Sequence, residues 1–165
     1  MPATYEPIAT TTLGSAAASI TFSSIPATYT DLRLVIVATA STAAPDIQVQ
    51  FNSDSGSNYS HTRLIGTGSS AISGQSSNQT YTYVDYTGLS TTIPSLYEMD
   101  IFSYAGSTFK TMLAKTSEDR NGSGDIFTSV SLWRSTSAIT SIYLFLSAYN
   151  FAIGTTATLY GIKNA

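Results

Sequence analysis

Apolar and polar residues alternate in short runs along this chain, and no stretch keeps the three-to-four-residue period of an amphipathic helix. Ser19 to Phe22 places Ile20 and Phe22 on one face, and Ile47, Val49 and Phe51 alternate with Gln48 and Gln50 as in a half-buried strand. Leu32 to Ala40 is apolar on both faces after Arg33, the pattern of a central strand covered on each side. Further strands are predicted over Tyr59 to Ile65, Thr80 to Tyr86, Leu96 to Tyr104, Phe109 to Thr116, Ile126 to Arg134, Ile139 to Ser147 and Thr156 to Ile162. In the Leu96 run, Tyr97, Met99 and Ile101 point inward while Glu98 and Asp100 point outward.

Turn chemistry separates these runs. Ala105-Gly106-Ser107-Thr108 and Asn121-Gly122 mark hairpins, and Ile25-Pro26 with Thr30-Asp31 bounds a longer turn. Gly66 to Asn78, almost all Gly, Ser, Thr, Ala and Gln, reads as a mobile or partner-ordered loop. The pattern predicts an all-β chain: a single jelly-roll-like β-sandwich of about 8–10 antiparallel strands. The sandwich spans 19–165 and follows an extended N-terminal arm, 1–18, in which Pro2 and Pro7 oppose helix. Tyr5, Ile8 and Leu13 are apolar anchors in that arm. They fit contact with a capsid or a neighbouring subunit, and a frayed terminus is the alternative.

Composition narrows the function classes. The chain has 165 residues, enough to bury a core without covalent staples, and it has no cysteine for disulfides or thiolate metal sites. Charged residues make up 10%, the net charge is -3, and the seven Lys and Arg are dispersed, so no nucleic-acid-binding face is expected. No apolar run approaches the roughly 20 residues that span a bilayer, and the first residues lack a secretory signal, so neither a membrane nor a secretory route is expected. Serine and threonine supply almost a third of the chain, and Tyr, with eleven copies, is the main aromatic. A surface solubilised by hydroxyls has low desolvation and side-chain entropy costs on meeting another surface, which suits a permanently assembled protein.

Candidate chemistry is sparse. His61, the only histidine, would need Ser60 with Asp54 or Asp85 for a triad, and no nucleophile elbow accompanies it. Glu98 and Asp100 share a strand face as a glycosidase pair would, and an outward polar stripe gives the same pattern. Asp119, Asn121, Ser123 and Asp125 alternate like the start of an EF-hand loop, as Asn52, Asp54 and Asn58 do more weakly. Val130 and Arg63 stand where each loop would need its glutamate. The reading is therefore of a non-enzyme with no cofactor. Tyr81, Tyr83, Tyr86 and Trp133 form a candidate recognition surface. Trp133 with Tyr143, Phe145 and Tyr149 would suit an aromatic platform for a sugar ring, and core or subunit-interface packing is the alternative for Trp133.

Three phrases carry a resemblance. Ile8-Ala9-Thr10-Thr11-Thr12-Leu13-Gly14-Ser15, running on to Ile25-Pro26, is the first. Phe51-Asn52-Ser53-Asp54-Ser55-Gly56-Ser57-Asn58-Tyr59-Ser60 and Leu159-Tyr160-Gly161-Ile162-Lys163 are the others. Together they resemble a family of small virion structural proteins of tailed bacteriophages. The resemblance implies a virion component. The one-domain sandwich with its arm, low charge and no catalytic set makes the expected role a capsid decoration (cement) protein, made in the host bacterial cytoplasm and placed on the capsid exterior. Its partner would be the major capsid protein, and a homotrimer would suit sites of local threefold symmetry. The alternative is a receptor- or glycan-binding head of a tail or head fibre, in which the 66–78 loop and the tyrosines make the tip.

Overall fold

The computed structural model describes residues 4–42 and 45–163, and among them the chain forms twelve strands in two antiparallel sheets. They are β1 (Tyr5–Thr12), β2 (Ser19–Phe22), β3 (Asp31–Ala38), β4 (Ile47–Phe51), β5 (Tyr59–Gly66) and β6 (Ala71–Gln79). The second half holds β7 (Thr82–Asp85), β8 (Ser95–Phe102), β9 (Lys110–Glu118), β10 (Asp125–Trp133), β11 (Ile142–Leu146) and β12 (Thr156–Ile162).

The larger sheet runs β1-β12-β3-β8-β9-β10-β5-β6 and the smaller β2-β11-β4-β7. Within this order β1-β12-β3-β8 faces β2-β11-β4-β7, with successive strands crossing from one sheet to the other. That is a jelly roll. The β9–β10 pair and the β5–β6 hairpin widen the larger sheet, and β9, β10 and β5 lie against β7 of the smaller one.

Alternation positions the core. Leu32, Leu34 and Ile36 of β3, Tyr97, Met99 and Ile101 of β8, and Ile142 and Leu144 of β11 all turn into the space between the sheets. The hairpin joining β9 to β10 turns at Asn121 and Gly122, both with positive φ (61° and 87°), as an Asn-Gly turn requires. Another turn closes the end of β4: Asp54 accepts hydrogen bonds from the Gly56 amide (2.8 Å), the Asn58 amide (2.9 Å) and the Trp133 indole (2.7 Å).

Two segments differ from the sequence expectation. Residues 5–12 do not stand away as an arm; they are β1, paired with β12 from Tyr5↔Ile162 to Thr12↔Thr156. The edge of β12 is an open row of backbone donors and acceptors, and the chain's own first strand satisfies it. Ile8 and Leu13 pack against the core of the same molecule, and Leu13 exchanges backbone hydrogen bonds with Thr155 and Gly154; Tyr5 alone of the three anchors is largely exposed. The part of the predicted arm at 1–3 lies outside the described residues.

The 66–78 stretch is likewise no open loop, since most of it is β6, held to β5 by a hairpin that turns over Thr67–Ser70. Its side chains give no apolar alternation because both of its faces are largely exposed at the sheet edge.

Candidate functional site

Two outer faces stand out, one on each side of the sandwich. The outer face of the larger sheet carries Val35 and Val37 from β3, Leu96 from β8, Leu113 from β9, Ile126, Val130 and Leu132 from β10, and Leu64 from β5. Ile126 is 70% exposed and Val130 58%. The register sets Val130 directly beside Leu113. A depression of about 500 Å³ opens among Thr62, Gln75, Thr111, Val130 and Leu132. The two-faced apolar pattern of β3 is thus real, yet within this molecule one of its faces has no cover. Between the aliphatic groups Arg33 meets Glu98 at 2.5 Å and Asp100 at 3.7 Å, with Lys115 at 3.9 Å from Glu98. The two carboxylates once read as a hydrolytic pair are therefore bound into an ion-paired row.

The opposite face belongs to the smaller sheet. Tyr143 and Phe145 project outward from β11, and β4 lies beside it with Gln48 opposite Phe145 and Gln50 opposite Tyr143. On the far side of β4, Tyr83 of β7 is opposite Gln48. The rings form a continuous series. Tyr143 and Phe145 stack at 5.1 Å, Phe145 meets Tyr81 at 6.0 Å, Tyr81 meets Tyr83 at 5.4 Å, and Tyr83 meets Tyr86 at 4.8 Å. Beyond the edge of β7, β5 contributes Arg63, whose guanidinium lies 4.0 Å from the Tyr86 ring centre, and His61, edge-on to Tyr83 at 5.0 Å.

The structure thus brings Tyr81 and Tyr83 together, as their two-residue spacing implies, and Tyr86, just beyond the end of β7, joins them. It removes Trp133 from the group. Trp133 is 2% exposed, packs on Phe51 at 5.6 Å and stacks on Tyr59 at 6.3 Å. Its strand position turns it inward, between the sheets, where its N–H finds Asp54. Tyr83 is itself mostly covered, leaving Tyr81, Tyr86, Phe145 and Tyr143 as the accessible rings. Tyr143 and Phe145, expected in a platform with Trp133 and Tyr149, join the tyrosines instead, and Gln48 and Gln50 were missed as members of the set. The signal existed, since each alternates with inward residues on its strand, but the pairing of β4 with both β11 and β7 is not written in local pattern.

The remaining candidates are structural. His61 is buried; Arg63 donates to its Nε2 at 3.2 Å, and burial together with Arg63 lowers its pKa. Its Nδ1 has no partner, and neither Asp54 nor Asp85 bonds it. Asp85 is fully buried and accepts from the Thr87 hydroxyl and amide, the Gly88 amide and the Thr116 hydroxyl. In the 119–125 loop, Asp119 accepts from the Gly122 amide, and Arg120 bridges Glu118 (2.7 Å) and Asp125 (2.8 Å). The Arg120 guanidinium thus takes an Asp125 carboxylate oxygen and the Ser123 carbonyl, while Asp119 is held by a backbone amide. No group of metal-ligating side chains occurs among the described residues.

One carboxylate gives a pH prediction. Burial, then the charge of Asp85, raises the Asp46 pKa to about 6 from 3.8, with Arg63 opposing. A folded-state value above the unfolded one means that its contribution to stability is present below about pH 4 and lost as pH rises through 6. Asp46→Asn is expected to stabilise the fold at pH 7.5 by about 1 kcal/mol, after discounting for a half-exposed site, and to leave it unchanged at pH 4. Urea unfolding at the two pH values checks this.

No family model matches the chain, and no curated protein matches it. Among solved structures, it is similar to a protein of unknown function from Shewanella oneidensis MR-1. The identity is 12% with a TM-score of 0.38, over 98% of this chain and 77% of that one. It is also similar to a galectin from Caenorhabditis elegans, at 8% identity and a TM-score of 0.35, over 91% of this chain and 94% of that one. At such scores neither likeness bears on function.

Proposed function

We propose that this chain is a non-enzymatic structural protein of a tailed-phage virion, a capsid decoration protein that docks on the outer surface of the head and bridges capsomers. The observation that carries the reading is the uncovered aliphatic face of the larger sheet. Contiguous exposed aliphatic groups are rare on a lone soluble molecule and mark a surface meant for a partner. The ion-paired row across that face, Arg33 with Glu98 and Asp100, fixes register without adding net attraction for nucleic acid. The hydroxyl-rich surface and the resemblance carried by 8–26, 51–60 and 159–163 support the same setting. In this reading the partner is the major capsid protein, the protein assembles as a homotrimer at local threefold positions, and each contact is modest but repeated over many equivalent sites. Synthesis is in the host bacterial cytoplasm and the final location is the capsid exterior.

The test is to incubate purified protein with expanded capsids that lack it, pellet them, and count bound copies. Saturable binding at hundreds of copies per capsid is expected, on the order expected if equivalent capsomer sites fill. Ile126→Glu combined with Val130→Glu should weaken it at least tenfold, since both side chains are solvent-exposed and their replacement leaves the fold intact. Absence of saturable binding by the unaltered protein would overturn the proposal.

A further inference from the structure

We infer that the aromatic series on the smaller sheet is a binding site for a neutral saccharide. The inference does not depend on where the protein sits in a virion. It rests on chemistry confined to one face. The rings of Tyr143, Phe145, Tyr81, Tyr83 and Tyr86 follow one another at steps of 4.8–6.0 Å, a spacing on the scale of one pyranose ring, and all but the largely covered Tyr83 offer accessible surface. Sugar C–H faces pack on such rings, while phenol hydroxyls and amides take up the sugar hydroxyls. Both kinds of group are present: the Tyr81 and Tyr83 hydroxyls lie 3.5 Å apart, and Gln50 donates its amide to the Thr80 carbonyl at 2.9 Å, leaving its own oxygen as an acceptor. Gln48 and Gln50 lie on β4, between the ring-bearing strands β11 and β7.

The neighbouring rings meet edge to face, at interplanar angles of 85° for Tyr81–Tyr83 and 89° for Tyr81–Phe145. Each ring therefore braces the next, and little conformational entropy remains to be lost on binding. Charge argues for an uncharged ligand. Arg63 is the cation at this site, and it is engaged with the Tyr86 ring and His61 and has the Asp46 carboxylate near it. The opposite face differs in kind, being aliphatic with an ion-paired row, so the two faces select different partners. If the larger sheet docks on a shell, the saccharide site faces outward from it.

The experiment is affinity electrophoresis of the full chain through native gels containing soluble dextran, mannan, xyloglucan or laminarin, with alginate as the anionic control. At least one neutral polysaccharide should retard the protein. Tyr143→Ala and Tyr81→Ala should each reduce the retardation constant at least tenfold, with far-UV circular dichroism unchanged, and both variants should still pellet with capsids. Tyr5→Ala, on the far sheet, should migrate as the unaltered protein does. Retardation by none of the four neutral polymers, retardation by alginate alone, or retardation that survives both tyrosine substitutions would each overturn the inference. None of these outcomes would alter the capsid-binding count.

Discussion

Trp133→Ala lowers the unfolding free energy by about 3–5 kcal/mol, the range for truncating a fully buried large aromatic. Three contributions make the site sensitive. The indole fills the space between Phe51 and Tyr59 at the end of the sandwich, at 5.6 and 6.3 Å. It sits at the last position of β10, where the register joins it to Tyr59 on one side and Lys110 on the other. Its N–H also holds Asp54, whose carboxylate organises the turn between β4 and β5 through Gly56 and Asn58. Trp133→Phe separates these effects. It keeps most of the packing and loses the hydrogen bond, at a cost of about 1 kcal/mol. Urea unfolding followed by far-UV circular dichroism measures both variants, because the only tryptophan is gone and fluorescence loses its probe. Equal costs for the two variants would mean that the Asp54 bond, not the packing, governs this end of the molecule.

Asp85→Ala is the second large effect, about 3 kcal/mol, because four donors lose one acceptor in a place water does not reach. The carboxylate is fully buried at the end of β7 and receives the Thr87 hydroxyl at 2.8 Å, the Thr87 amide at 3.2 Å, the Gly88 amide at 2.9 Å and the Thr116 hydroxyl at 3.0 Å. Burial pushes its pKa up, and those bonds pull it down less than burial raises it. Thr116 belongs to β9 in the opposite sheet, so the residue pins β7 across the core. Asp85→Asn retains one oxygen acceptor but sets an amide N–H₂ against donors, and its stability should fall between those of the parent and the alanine variant. Thermal unfolding ranks the three. An alanine variant as stable as the parent would show that Thr87, Gly88 and Thr116 find other partners.

Much of the architecture was legible because the core strands alternate cleanly. Leu32, Leu34 and Ile36, or Tyr97, Met99 and Ile101, announce their inward face by period alone. What escaped lies at the margins of the sheets. β1 and β6 are edge strands with small or polar residues, held by backbone hydrogen bonds that leave no side-chain signature. Trp133 was ambiguous because a lone tryptophan between Leu132 and Arg134 fits either face, and only the register with Tyr59 settles it. The aromatic face was half visible: Tyr81 and Tyr83 are two apart in sequence, but Phe145 reaches Tyr81 only through sheet pairing over a separation of 64 residues. Of the segments carrying the family resemblance, 8–12 and 159–162 form the β1–β12 pair and 54–59 forms the turn under Trp133. These segments hold the fold together, so their placement speaks for the fold and not for a partner.

The β1–β12 pair also sets an order of events during synthesis. Tyr5 leaves the ribosome long before its partner Ile162, so β1 waits unpaired until β12 has emerged. The jelly roll can close only after β12 has emerged and docked between β3 and β1. Loop closure over this span adds little, since each doubling of length costs about 0.6 kcal/mol. In a cell filling with nascent copies, however, the open edge of one molecule's β12 meets the waiting first strand of another. A β1 that carries Pro7 and a bulge before Ala9 is a poor template for that mispairing. The feature that closes each molecule therefore also keeps newly made copies apart until β12 has docked.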